Sequence, residues 1–267
     1  MTLRQLIVSS GLSVAIAIVG APAASAADMT AHDVTGLLFA AVPGARPDLS
    51  GKDLKGLDLA GLDFKSALLA KSNLFGADLS QATLSGSDLS GANLDRVTLI
   101  ATRFDGANLE GARLLRPSVF TTLAANGAEA PSFKGANMRG IKMFGRFTRA
   151  NFEGADLSGA TCAPFGKTGF IEEIWRTEMS GANLAGAHLN GADLTHALLT
   201  FADMKGAHLN NAILKDADLS GADLTGADLT GADVTGADLS GVKLGNVTGF
   251  DRMRGLAMAR NADKVIR

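Results

Sequence analysis

A large apolar residue returns at every fifth position through most of this chain, and this period constrains the fold more than any other feature. It runs in two unbroken series, from Leu49 to Leu114 and from Met179 to Leu244. Of these 28 apolar centres, 18 have Ala two residues before them and 17 have Gly two residues after them. A helix requires apolar steps of three and four, and a plain strand requires steps of two, so neither element explains the period.

A short strand followed by a corner does explain a period of five. Residues two apart on a strand share a face, so the centre and the Ala before it point inward, whereas the intervening Asp or Asn points outward. Gly after the centre permits the backbone geometry of a corner. Such units predict a coil with a Leu-filled interior, whose turns stack at about 4.8 Å, the spacing of neighbouring strands.

The repeated motif also carries a family resemblance. Residues 220–229 read SGADLTGADL, and the pattern Ala-(Asp/Asn)-Leu-x-x resembles that of pentapeptide-repeat proteins. The resemblance covers most of residues 47–246. It implies an all-β solenoid, a right-handed quadrilateral β-helix in which four units close one coil. Pentapeptide-repeat proteins often carry short helices at their ends, some of which serve dimerisation.

The N-terminal residues have the pattern of an export signal. Arg4 precedes the apolar stretch Leu6–Val19, and the small residues Ala24-Ser25-Ala26 predict cleavage after Ala26. An uncleaved membrane anchor is the alternative, but the stretch is shorter than the ~20 residues that span a bilayer. We therefore expect residues 1–26 to be a cleavable signal peptide. The mature chain is then periplasmic or secreted and has no transmembrane segment.

The two ends of the solenoid are expected to be covered by helices, because a stacked core otherwise leaves open strand edges. We assign residues 27–46 to an N-terminal helical cap, 47–246 to the β-helix and 247–267 to a C-terminal helical cap. Either cap could also join two copies in a homodimer. The apolar residues that suggest amphipathic helices are Val34, Leu37, Leu38 and Phe39 in the first cap and Phe250, Met253, Leu256, Met258 and Val265 in the second.

The period is interrupted near residues 115–132 and 163–178. Each interruption is either a projecting loop or a degenerate coil. The second contains Phe165, Phe170 and Trp175, which we consider candidates for partner binding, because Trp is favoured at interaction hot spots. The alternative is that these aromatic side chains fold back and cover the side of the coil.

Charge supplies a second set of partner-binding candidates. The run Lys134, Arg139, Lys142, Arg146 and Arg149 contains no acidic residue, whereas the C-terminal third is rich in Asp. These residues form either docking patches or ordinary solvated faces. The formal net charge of −2 lacks the basic footprint of a general nucleic-acid binder, so the expected partner is an unidentified protein.

The sequence offers little sign of chemistry. The one Cys of the chain, Cys162, falls on a centre and is predicted to be an inert core residue. If four units close a coil, His188, His208 and Asp228 stack on one face and form a weak candidate metal site. No acid–base pair, phosphate-binding loop or cofactor cavity is apparent. We predict no enzymatic activity and no cofactor.

Three functions remain open at this stage. The first is an exported scaffold that binds another macromolecule through its outer walls and loops. The second follows from the resemblance, since some pentapeptide-repeat proteins mimic DNA, inhibit the topoisomerase gyrase and protect bacteria from quinolones. An export signal argues against that alternative, because gyrase is cytoplasmic. The third is a metal-binding module that uses the His column.

Overall fold

The computed structural model describes residues 28–119, 128–163 and 176–266, which wind into a four-sided solenoid. Parallel bridges join residues twenty positions apart, as Asp78 joins Thr98 and Asp218 joins Asp238. Successive bridging residues are five positions apart, so four of them complete one coil. The period of five residues is therefore the length of one side of the four-sided coil.

We name the four faces by their first bridging residues. Face A begins at Asp48, face B at Asp53, face C at Asp58 and face D at Asp63. Along face A the described residues make ten stacked coils, which we number from Asp48 in coil 1 to Thr248 in coil 10. Neighbouring coils pair through backbone hydrogen bonds along the faces, such as that from Leu79 N–H to Thr98 O at 2.9 Å.

The lumen is filled by the apolar centres and the Ala residues that precede them. All 28 centres are at most 6% exposed, which confirms that they point inward. Burying one Leu side chain contributes about 1.5–3 kcal/mol, and this gain recurs at every side of every coil. Phe133 lies between Phe104 and Phe152, with ring centroids 5.1 Å from each.

The corners explain the Gly that follows the centres. The residue two positions after each of the 28 centres has a positive φ, including non-Gly residues such as Lys71 at 57° and Arg96 at 59°. This conformation costs an ordinary L-residue about 1–2 kcal/mol but is open to Gly. Gly is therefore preferred at the corners.

Regular elements are few. Helix α1 (Ala31–Ala40) begins at the N-cap Thr30, which forms a capping box with Asp33, and it buries Val34 and Leu38 against the core. Strands β1 (Arg113–Leu115) and β2 (Lys142–Phe144) pair in parallel on face B. No helix in the described part of the chain has the length and hydropathy of a membrane span. The predicted signal peptide, residues 1–26, lies outside the described residues.

The C-terminal residues differ from the single helix expected there. They form coil 10, in which the sides lengthen to six residues and three short 3-10 helices take up the extra length (Phe250–Arg252, Leu256–Met258 and Ala262–Lys264). Its bridging residues are Thr248, Arg254, Arg260 and Ile266. Apolar residues recur here at every third position, a step that a helix and a six-residue side share. The sequence pattern alone could not separate the two structures.

Both interruptions occur at corners that border face C. Ser118 on face C is followed on face D by Ser132, and Thr161 on face B is followed on face C by Glu178. The coils above and below still pair directly, as Arg103 does with Ser132. Each interruption therefore adds residues between two sides without breaking the stack. Residues 120–127 and 164–175 lie outside the described residues.

One side of coil 5 is shorter than the others. Lys142 and Arg146 bridge on consecutive faces although only four positions separate them, and Phe147 is the fully buried centre of the second side. The corner between them is made by Gly145, with φ at 143°. The period of five did not predict Phe147 as a centre, because the register slips by one residue at this corner.

Candidate functional site

The outer walls carry regular rows of Asp and Asn, and most of these side chains have a structural role. In a typical unit, Asp223 accepts hydrogen bonds from Thr225 N–H at 3.1 Å and from Thr225 Oγ1 at 2.6 Å. Such Asx turns fix the backbone as it approaches the corner. The abundance of carboxylates therefore reflects the repeat and not an acid–base site.

Asn side chains also join neighbouring coils. On face B, Asn93 Nδ2 donates to Asn73 Oδ1 at 3.0 Å, and Asn73 Nδ2 donates to Asp53 Oδ1 at 2.8 Å. On face A, Asn108 Nδ2 donates to Asp88 Oδ1 at 2.9 Å. These rows of side-chain hydrogen bonds join neighbouring coils on the outer surface, whereas packing of the apolar centres joins them in the lumen.

Hydrogen bonding makes the solenoid sensitive to acid. The hydrogen bond from the Thr225 side chain, helped by Lys243 and Lys205, lowers the pKa of Asp223 from 3.8 to about 2. Hydrogen bonds from Thr230 and Thr235 likewise lower the pKa values of Asp228 and Asp233.

We expect the free energy of unfolding to fall as the pH is lowered from about 4 to about 2. The folded-state pKa is below the unfolded value, so the stabilisation is complete above the unfolded pKa and is lost as pH falls through the folded one. Urea unfolding at a series of pH values measures the slope. Asp223→Asn should reduce it, and an unchanged slope would contradict the assignment.

The predicted His column exists. His188 and His208 lie on face A in coils 7 and 8, with ring centroids 4.6 Å apart. Asp228 follows in coil 9, but its Oδ2 accepts a hydrogen bond from Asn210 Nδ2 at 2.6 Å and its Oδ1 accepts from Thr230 N–H at 3.0 Å. Among residues 28–119, 128–163 and 176–266, no group of three His, Cys, Asp or Glu is arranged to hold a metal ion.

The basic run does not form a patch on one wall. Lys142 lies on face B and Arg146 on face C. Arg139 lies at the turn between faces A and B, Lys134 at the turn between faces D and A, and Arg149 at the corner between faces C and D. Three of these cations pair with an acid in the following coil: Lys134 with Glu153 at 3.1 Å, Arg139 with Asp156 at 3.0 Å and Arg146 with Glu178 at 3.3 Å. The run encircles one part of the rod because consecutive units face different directions.

The aromatic candidates Phe165, Phe170 and Trp175 lie outside the described residues. The described chain stops at Ala163 and resumes at Arg176, at the corner between faces B and C. A different aromatic residue is exposed elsewhere: Phe201 has a φ of 55°, is 75% exposed and lies over Gly221 of the next coil. The signal that could have found it is an aromatic residue at a position that is usually Gly.

Cys162 is buried in the lumen, as predicted. Burial raises the pKa of its thiol to about 12, so the thiolate is scarce at neutral pH. Thr177 Oγ1 donates a hydrogen bond to the Cys162 carbonyl at 2.5 Å, closing the corner after the second interruption. The buried thiol of Cys162 is therefore not accessible to reactants at the surface.

Comparison with known proteins supports the same fold. A family model described as pentapeptide repeats matches eight copies, over residues 77–114, 177–216 and 214–246. HetL, a pentapeptide repeat protein involved in heterocyst differentiation regulation from the cyanobacterium Nostoc sp. strain PCC 7120, is 24% identical with a TM-score of 0.33, and the match covers 80% of this chain and 91% of HetL. No curated protein matches the chain.

A trypsin-treated form of QnrB1, a plasmid-mediated fluoroquinolone resistance protein, is 16% identical with a TM-score of 0.51. The match covers 68% of this chain and 88% of QnrB1, and at this identity the likeness concerns the fold alone. The repeats, the four-sided coil and the family match agree. The family match identifies residues 77–114 and 177–246 as pentapeptide repeats, and the fold is the right-handed quadrilateral β-helix of pentapeptide-repeat proteins.

Proposed function

We propose that the protein is an exported, non-enzymatic scaffold that binds another macromolecule through its outer walls and loops. The observation that supports this most is the filled lumen. A cavity of about 10 Å³ lies near the C-terminal end, lined by apolar side chains that include Leu224, Leu239 and Met253. One water molecule needs roughly that volume, so the cavity is too small for a substrate or cofactor.

The walls are therefore the surface that the protein offers to a partner. They are rigid, because backbone hydrogen bonds join neighbouring coils, such as that from Phe104 N–H to Ser132 O at 2.7 Å. Their side chains stand in rows with a spacing of about 4.8 Å. A surface of this kind suits recognition of a large, regular partner better than catalysis, which usually takes place in a concave pocket.

Export is supported by the signal pattern of residues 1–26. We expect cell fractionation to recover a product cleaved after Ala26 in the periplasm or the medium. A variant that begins at Ala27 serves as the control and should stay in the cytoplasm. Recovery of uncleaved wild-type protein in the cytoplasm would contradict export.

Proximity labelling in the compartment of the mature protein tests the binding role. We expect at least one protein to be enriched over the labelling enzyme alone. Trp175→Ala tests the aromatic segment, and Arg149→Glu tests an exposed corner cation on coil 5. If no protein is enriched with the wild type, the scaffold proposal fails.

Gyrase inhibition is the alternative to be separated from this proposal. The likeness to QnrB1 is one of fold, and an exported protein does not meet a cytoplasmic enzyme. We expect purified protein to leave DNA supercoiling by gyrase unchanged. Inhibition at stoichiometric concentration would instead favour the alternative.

A further inference from the structure

Face A carries two histidines at positions where the repeat usually places Asp or Asn. His188 and His208 bridge consecutive coils of this face, whereas six of its ten bridging residues are Asp or Asn. Both residues are exposed, and their ring centroids are 4.6 Å apart with 28° between the ring planes. Neutral imidazole is the commonest metal ligand among side chains, so one chain presents two metal-binding groups next to each other.

One chain supplies too few ligands to enclose a metal ion. Asp228 is the next residue of the column, but its two oxygens accept hydrogen bonds from Asn210 Nδ2 at 2.6 Å and from Thr230 N–H at 3.0 Å. Asp156, the preceding residue of the column, is paired with Arg139 at 3.0 Å. Zinc in structural sites is bound by four ligands in a tetrahedron. Two ligands from a second chain would complete such a site.

Face A offers a second chain a flat approach. Both interruptions leave the coil at corners that border face C, on the opposite side of the rod. The ten corners that border face A in coils 5–9 all belong to the described residues. Nine of them are Gly, as at Gly186 and Gly191 on either side of His188, and the tenth is Asn211. Since Gly has no side chain, another flat wall can approach the His rings.

We propose that two copies of this chain bind one zinc ion between their A faces, with His188 and His208 of each copy as its four ligands. The rods run antiparallel about a two-fold axis between coils 7 and 8, and two-fold symmetry is that of most dimers. Zn–N bonds of about 2.0–2.1 Å place the four nitrogens about 3.3 Å from one another. The two rings of one copy reach this spacing by turning about their side-chain bonds toward the axis.

The direction of the rods follows from the columns of face A. In coils 7 and 8 each His is followed, at the turn towards face B, by Asn190 or Asn210. Two parallel rods related by a two-fold axis would place each His opposite an Asn of the other copy. The antiparallel arrangement places His188 opposite His208 and Asn190 opposite Asn210, and amide side chains both donate and accept hydrogen bonds.

The charges around the axis suit a dication. Three ion pairs neutralise the other charged side chains of face A and its turns in coils 5–9, namely Arg139–Asp156, Lys134–Glu153 and Lys205–Asp203. Asp228 is the one carboxylate of this stretch that has no cationic partner among the described residues. In the antiparallel pair it lies opposite the neutral Arg139–Asp156 pair of the other copy. Two copies thus contribute two uncompensated carboxylates, whose charge one Zn²⁺ balances. The site does not depend on the proposed function.

Light scattering after size exclusion tests the site at neutral pH, with the protein first freed of metal by EDTA. We expect a single chain in EDTA and a dimer after addition of stoichiometric ZnCl₂. Isothermal titration calorimetry with ZnCl₂ should give one zinc ion for every two chains, because each copy supplies half of the ligands.

Three variants make the test specific to face A. His188→Asn and His208→Asn introduce the residue that the same column carries at Asn137. Each should abolish zinc binding and dimerisation, because one substitution removes two of the four ligands from a two-fold site. His196→Asn is the matched control, since His196 lies at the corner between faces B and C, and it should behave like the wild type.

Thermal unfolding checks that every variant is folded. A dimer in EDTA, a single chain that binds zinc one to one, a wild type that binds no zinc, or a zinc-dependent dimer that survives either face A substitution would overturn the proposal.

Discussion

Replacing Phe133 by Ala is expected to lower the free energy of unfolding by about 3–5 kcal/mol, the range for deletion of a buried aromatic ring. Phe133 is fully buried between Phe104 and Phe152, with centroids 5.1 Å from each, and it meets Phe147 edge to face at 6.5 Å. Backbone hydrogen bonds hold the three stacked sides in place, from Phe104 N–H to Ser132 O and from Phe133 N–H to Asn151 O, both at 2.7 Å, so these sides cannot collapse into the cavity. Urea unfolding followed by circular dichroism measures the loss.

Two control variants show whether the loss of stability is specific to the buried aromatic ring. Phe133→Leu places the usual centre residue in the same position and should cost less than about 1.5 kcal/mol. Phe201→Ala removes the same side chain from a site that is 75% exposed and should change stability by about 0.5 kcal/mol or less. If Phe133→Ala costs no more than Phe201→Ala, the aromatic stack does not support the lumen.

Gly145→Ala is expected to cost about 1–3 kcal/mol, because Gly145 closes the shortened side of coil 5 in a conformation nearly restricted to Gly. Its φ is 143°, and an added Cβ would lie 3.0 Å from Pro117 Cδ and 3.3 Å from Arg116 Cα. The backbone of Arg116 is itself fixed by a hydrogen bond to Phe144 O at 2.6 Å. The backbone at this corner therefore has little room to move away from an added Cβ.

Gly191→Ala is the matched control for this change. Gly191 has a φ of 64° and open space where a Cβ would be added. Lys71 and Arg96 adopt the same conformation at equivalent corners, so the cost should be about 1 kcal/mol. Equal losses from the two substitutions in urea unfolding would show that Gly145 is an ordinary corner.

The inward centres, the Ala residues and the corner Gly were predictable because each recurs at a fixed step of five, whereas the closure of four units into one coil followed from the family resemblance. Phe147 was not, since the side that carries it is one residue short. The C-terminal coil was not predicted either, because apolar residues at every third position are compatible with a helix. Local pattern identifies a repeating unit well and fails where the length of the unit changes.

The surface was harder to predict than the core. His188 and His208 could be paired because no interruption separates them, and twenty positions make one coil. Arg113 and Lys142 are neighbours across 29 positions, since the first interruption lies between them. A cluster of charges that spans an interruption is visible only once the register of the coils is known. For the same reason, the run of basic residues in the sequence did not predict which cations are neighbours in the structure.

The equal length of the sides has a consequence for insertions and deletions. Loss of four consecutive units from the regular series between Met179 and Leu244 shortens the rod but leaves every later residue on its original face. Loss of one unit turns everything beyond it by a quarter revolution. Asp238 would then lie on face B, the wall that carries Arg113, instead of on face C, although apolar centres would still fill the lumen. The face on which each charged side chain lies therefore depends on the number of five-residue units that precede it.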